Sequence, residues 1–105
     1  MRYSKIVGLG HHVPKTVITN QYLSSLMETN DEWITERTGI KERRWIDPQK
    51  DTVANMAAKA TRMALQRANL TEKDIEFIVF ATITPDYFFP GSGVLLQREL
   101  GLESI

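Results

Sequence analysis

The hydrophobic pattern changes period several times along the chain, and each change predicts an element. Ser4–Gly10 (SKIVGLG) reads as a short strand in which Gly8 and Gly10 mark a close backbone approach. His11–Val17 is a loop around Pro14, and Thr19-Asn20 opens a short helix with Tyr22, Leu23, Leu26 and Met27 at helical spacing. Thr29 and Glu32 have the spacing of a capping box for a second helix. Asp31 and Glu32 suit its first turn, at the positive end of the dipole, and Gly39 ends it. Ile40–Ile46 (IKERRWI) alternates without a clean apolar face, which predicts an exposed or edge strand.

The longest helical period begins at Asp51 or Thr52 and runs to about Ala68, with Val53, Met56, Ala57, Ala60, Ala64 and Ala68 as the expected buried stripe. Small residues on that stripe imply close packing against a partner. After a turn at Thr71–Asp74, Phe77–Ile83 (FIVFATI) is almost unbroken apolar, the pattern of a strand buried on both faces. Thr84–Gly91 (TPDYFFPG) is a loop at its carboxyl end, and Ser92 is placed to cap a last helix that Gly101 stops. The fold class is therefore α/β, with helices covering a largely parallel sheet. The pattern is unfinished, since a helix after a buried parallel strand normally crosses back to a further strand.

At 105 residues the chain holds one domain, with no second. Thirteen basic residues balance thirteen acidic ones, so no global field points to nucleic acid or an anionic membrane. Lys41, Arg43 and Arg44 form a local cluster that suits either a solvated strand or an anion site. No run approaches the ~20 apolar residues of a membrane span. The polar start does not fit a signal peptide, and a soluble cytoplasmic protein is expected. The absence of cysteine excludes disulfides, cysteine metal sites and a thiol nucleophile within these residues.

Candidate chemistry narrows quickly. Gly8-Leu9-Gly10 lacks the third glycine of a dinucleotide fingerprint, because Val13 stands there. His11 and His12 are adjacent, diverge if extended, and have no accompanying ligand set, so no metal site is expected. Ser92 sits in GSG after a proline-bearing loop, outside the setting of a nucleophile elbow. Trp33 and Arg37 stand four apart and share one helical face. Spacing leaves two arrangements open: Trp33 in a core with Arg37 paired to Glu36 or a neighbouring carboxylate, or a stacking plate beside a bidentate cation for a ligand with a ring and phosphates. Phe88 and Phe89, at the carboxyl end of the apolar strand, suit either a hydrophobic plug or a ligand site.

TNDEWITERTGIKERR resembles the N-terminal signature of the β-ketoacyl-acyl-carrier-protein synthase III family. KIVGLGHHVPKTVITN, DTVANMAAKATRMAL and IEFIVFATITPDYFFPGSGVLLQRELGL resemble further segments of the same enzymes, in order, over the whole chain. The resemblance implies an N-terminal part of a thiolase-like fold, layered α-β-α-β-α and incomplete here, in a homodimeric parent. It implies acyl-CoA as substrate with no prosthetic group, and malonyl-acyl-carrier protein as partner, in a decarboxylating condensation of bacterial fatty-acid synthesis. Trp33 would stack on adenine, Arg37 serve the nucleotide end and Thr29 contact the same ligand. Phe89, or less well Phe88, would reach the primer pocket of the neighbouring subunit. The family's Cys-His-Asn triad has no counterpart here, and neither His11 nor His12 matches its histidine. The chain alone is then expected to be an inactive fragment that self-associates through an open strand edge. Alternatives are a non-catalytic CoA- or nucleotide-binding module, a structural half that complements another chain, or a related condensing enzyme of polyketide, quinolone or hydrocarbon synthesis.

Overall fold

The computed structural model describes residues 1–105. They divide into two compact units, residues 13–50 and residues 1–12 with 51–105.

In the 13–50 unit the order is β1 (Thr16–Thr19), α1 (Asn20–Leu26), α2 (Asp31–Thr38) and β2 (Glu42–Trp45). β1 and β2 pair antiparallel, with Thr16 opposite Trp45 and Thr19 opposite Glu42. The 40–46 segment is thus the exposed strand its mixed pattern predicted, whereas β1 lies partly in a stretch expected to be loop. Its partner decides this: TVIT carries only one buried side chain, Ile18, and is a strand because β2 supplies hydrogen bonds. Thr19 caps α1, its hydroxyl accepting from the Tyr22 N–H at 3.1 Å.

Asn20 organises this unit. Its side chain is 1% exposed. Its amide donates to Asp31 Oδ1 and to the Ile40 carbonyl, both at 2.8 Å, and its Oδ1 accepts from the Arg43 guanidinium at 2.7 Å. One amide thereby ties the start of α1 to both ends of α2 and to β2. A buried amide is tolerated only when its donors and acceptor are satisfied, and here they are.

In the other unit, α3 (Val53–Arg67) precedes a short 3₁₀ turn (Glu72–Asp74) and α4 (Ser92–Glu99). Thr52 and Asn55 form a reciprocal capping box at the start of α3. The expected buried stripe of α3 needs correction. Its deepest residues are Ala54 and Ala58, and Ala58 packs with Leu96 and Leu100 of the α4 region, supported by Ile75, Ile78 and Phe80. Ala60 and Ala64 instead lie under the 4–10 segment. A Cβ on Gly10 would fall 2.0 Å from the Ala60 carbonyl oxygen, and one on Gly8 would fall 2.4 Å from that of Ala64. Only glycine permits this approach. A helix covered on two sides has no single stripe, which is why the periodicity misplaced it.

The parallel sheet is absent within these residues: β1 and β2 form the only ladder. Residues 4–10 and 75–83 run without regular secondary structure. The expectation that 77–83 is buried on both faces also fails. Ile78 and Phe80 pack inward, while Phe77, Val79 and Ile83 are 80%, 84% and 96% exposed. The alternation is that of a strand with one covered face. Ser92 is not the cap of α4. Gly91 holds that position at φ 96°, and Ser92 is the first helical residue, its buried hydroxyl without a hydrogen-bond partner in the chain. The positive φ turns the chain into α4 at the glycine, one residue earlier than a serine cap would.

Asn20→Ala should destabilise the 13–50 unit by about 1–3 kcal/mol, since it removes the one buried amide that bonds to Asp31, the Ile40 carbonyl and Arg43 together. Urea unfolding followed by the fluorescence of Trp33 and Trp45, both in this unit, measures it.

Candidate functional site

Helix α2 carries the candidate ligand face, and its caps set that face. Asn30, not Thr29, is the N-cap: its Oδ1 accepts from the Trp33 N–H at 2.8 Å. Asparagine is at least as good a cap as threonine and stands one residue nearer the helix. The capping box expected of Thr29 and Glu32 is therefore replaced, and the Thr29 hydroxyl is left out of the capping. Asp31 and Glu32 occupy the first turn, Arg37 the last, and Gly39 ends the helix at φ 71°.

Burial fixes which way the helix faces. Asp31 and Thr35 bond toward Asn20, and Ile34 is buried. These positions define the inner side, so Trp33 and Arg37 lie on the opposite side at 3.6 residues per turn. Trp33 is 52% exposed, and the Arg37 guanidinium carbon stands 5.0 Å from its ring centroid. Of the two arrangements that spacing left open, the indole is out of the core and the cation lies over the ring rather than over Glu36. Glu28, Thr29, Asn30 and Trp33 line a hollow of about 220 Å³ at the amino end of the helix. The half-buried Thr29 sits in its wall. Chemically, this face offers a flat π surface, a planar cation and a free hydroxyl.

Phe88 and Phe89 belong to the other unit. They are 94% and 90% exposed, so neither plugs the core under α4. A groove of about 570 Å³ runs beside the amino end of α4 with Phe77, Phe80, Tyr87 and Phe88 in its walls. Phe88 lines it; Phe89 does not. Two residues of this architecture were not singled out in the sequence. Asn20 was read only as part of a helix opening, and Asp86 only as part of a loop. Asp86 accepts from the Val53 and Ala54 N–H groups at 2.7 and 2.9 Å. The Pro85-Asp86 turn just before the aromatic pair was the available hint. No group of three or more His, Cys, Asp or Glu side chains converges to hold a metal.

No protein-family model matches the chain. A β-ketoacyl-acyl-carrier-protein synthase III of Methylococcus capsulatus is 46% identical over 103 residues, which are 98% of this chain and 32% of that protein. The crystal structure of the 3-oxoacyl-acyl-carrier-protein synthase III of Aquifex aeolicus superposes with a TM-score of 0.90 at 42% identity, over 96% of this chain and 32% of the other. The chain thus matches part of a β-ketoacyl-acyl-carrier-protein synthase III over nearly its whole length. A priming β-ketosynthase of a polyketide biosynthetic pathway superposes with a TM-score of 0.89 at 31% identity, over 97% of this chain and 30% of the other. The chain spans about a third of the length of the synthase III relatives it matches. It has the mixed α/β structure of part of their thiolase-like fold. No helix is long and apolar enough to cross a membrane.

Arg37→Ala should cost no more than about 1 kcal/mol of stability, the scale of an exposed cation–π contact. In a Trp45→Phe background it should also raise acrylamide quenching of Trp33, because one face of the indole loses its cover. A loss as large as that of Asn20→Ala would mean that Arg37 serves the fold rather than an open face.

Proposed function

We infer that these residues form the primer-binding beginning of an initiating condensing enzyme whose first substrate is an acyl-CoA. The observation that carries this reading is the outward Trp33 with the Arg37 guanidinium 5.0 Å from its ring. The family match supports the reaction class, and this face supports the choice of ligand. The adenine stacks on Trp33, Arg37 serves the negatively charged nucleotide end, and the Thr29 hydroxyl contacts the same ligand. Phe89, with Phe88 as the lesser candidate, enters the primer pocket of the neighbouring subunit in a homodimer, and its near-complete exposure suits such a reach.

The complete reaction is a decarboxylating Claisen condensation in the cytoplasm. A cysteine thiolate takes the acyl group from the thioester and releases CoA. Malonyl-acyl-carrier protein then loses CO₂, and the resulting thioester enolate attacks the acyl carbon, forming the β-ketoacyl product and freeing the cysteine. The 105 residues contain no cysteine and are by themselves inactive. A priming role in polyketide synthesis is the second reading, favoured by the polyketide ketosynthase superposition. The two share the CoA face and differ in primer.

In the enzyme that carries these residues, Trp33→Ala and Arg37→Ala should each raise KM for acyl-CoA roughly tenfold with kcat little changed, the pattern of lost uniform binding. Unchanged KM in both variants would overturn the assignment. For the 105-residue chain alone, the exposed Phe77, Val79 and Ile83 face should drive concentration-dependent self-association in sedimentation equilibrium. Val79→Lys should weaken it, and a monodisperse monomer at all concentrations would contradict the proposal.

A further inference from the structure

We propose that Asp86 is a positioning residue whose carboxylate clamps the Phe88–Phe89 loop to the amino end of α3 and so sets primer selectivity. The inference rests on the proposed function, in which this loop meets the primer.

The clamp is visible in the capping of α3. Four backbone N–H groups at a helix start lack intrahelical acceptors. In α3 the Thr52 N–H is taken by Asn55 Oδ1 and the Asn55 N–H by the Thr52 hydroxyl. The two between them, of Val53 and Ala54, donate to Oδ1 and Oδ2 of Asp86 at 2.7 and 2.9 Å. Local sequence therefore caps half of the helix start, and the other half depends on a residue more than thirty positions away. The positive end of the helix dipole reinforces the attachment of a carboxylate there.

Two oxygens on two adjacent N–H groups fix a carboxylate in orientation as well as place. Asp86 is half-buried, and the rings of Phe88 and Phe89, two and three residues on, are almost wholly exposed. Packing within the chain does not hold the rings, so their presentation depends on the backbone that carries them. That backbone is tethered at Asp86 and at the entry to α4, with Pro90 limiting its freedom between them. Asp86 thus acts through the loop, without touching the primer.

The test is the ratio of kcat/KM for acyl-CoA primers that differ by a few methylenes, in the enzyme carrying these residues. Asp86→Ala should shift that ratio about tenfold, the discrimination a methylene or two commands in an apolar pocket. Asp86→Asn, which keeps one good acceptor, should shift it less in the same direction, and it carries the comparison if the alanine variant does not fold. Asn55→Ala removes a different cap from the same helix. It should lower thermal stability and leave the ratio alone. An unchanged ratio in Asp86→Ala, or in Asp86→Asn where only that variant folds, overturns the positioning role, provided Phe89→Ala shifts it. An equal shift from Asn55→Ala also overturns it, because helix stability would then be the cause. If Phe89→Ala itself leaves the ratio unchanged, the loop does not meet the primer and the underlying reading fails instead.

Discussion

A single buried amide decides where the candidate ligand face points. Asn20 bonds simultaneously to Asp31, Ile40 and Arg43, residues that bracket α2 at both ends. A helix as short as the eight residues of α2 is marginal on its own, so its orientation comes from such tethers rather than from propensity. With Asp31, Ile34 and Thr35 held inward, helical geometry leaves Trp33 and Arg37 no choice but the outer side. The polar hub also explains a short-range economy in the unit. It contributes only two buried apolar side chains, Ile18 and Ile34. Hydrogen bonding therefore supplies the definition that a larger core would otherwise give.

The other unit solves a different problem. Its helix α3 is rich in alanine, so it has little side-chain volume with which to fill space. The backbone comes to the helix instead, at Gly8 and Gly10, while Ala58 meets Leu96 and Leu100 on another side. Contacts of this kind are exacting, since a single added methyl at Gly10 would overlap a carbonyl oxygen. They hold the 4–10 segment close without any ladder. The outward Phe77, Val79 and Ile83 then form an uncovered apolar face. That face is the physical reason for regarding these residues as a portion of a layered fold rather than a free-standing module.

Helices were legible in the sequence where local chemistry decides them. Thr19, Thr52 and Gly39 stand at the helix ends their residue types predicted, because capping needs only neighbours. At the start of α2, Asn30 rather than Thr29 is the cap, so the bonded N–H is that of Trp33 instead of Glu32. What the sequence could not show depends on distant partners. The apolar run at 77–83 signals burial, but one of its faces has nothing against it among these residues. The loop expected over His11–Val17 takes in the first half of β1, because its pairing partner lies more than twenty positions away. The same holds for the site. The i, i+4 relation of Trp33 and Arg37 was plain from spacing, whereas the choice between inward and outward faces rested on Asn20, whose side chain spans three elements. Asp86 stayed unseen for the same reason.

These tethers bear on affinity as well as on placement. A ligand that must order a tryptophan and an arginine gives up about 0.5–1.5 kcal/mol for each freely rotating side chain. Here the guanidinium already rests over the indole, and the helix below is pinned by caps at both ends. Part of that ordering is complete before any ligand arrives. The arrangement has a consequence for recognition, because Arg37 already covers part of one indole face. A planar base must therefore use the remaining exposed surface or displace the cation.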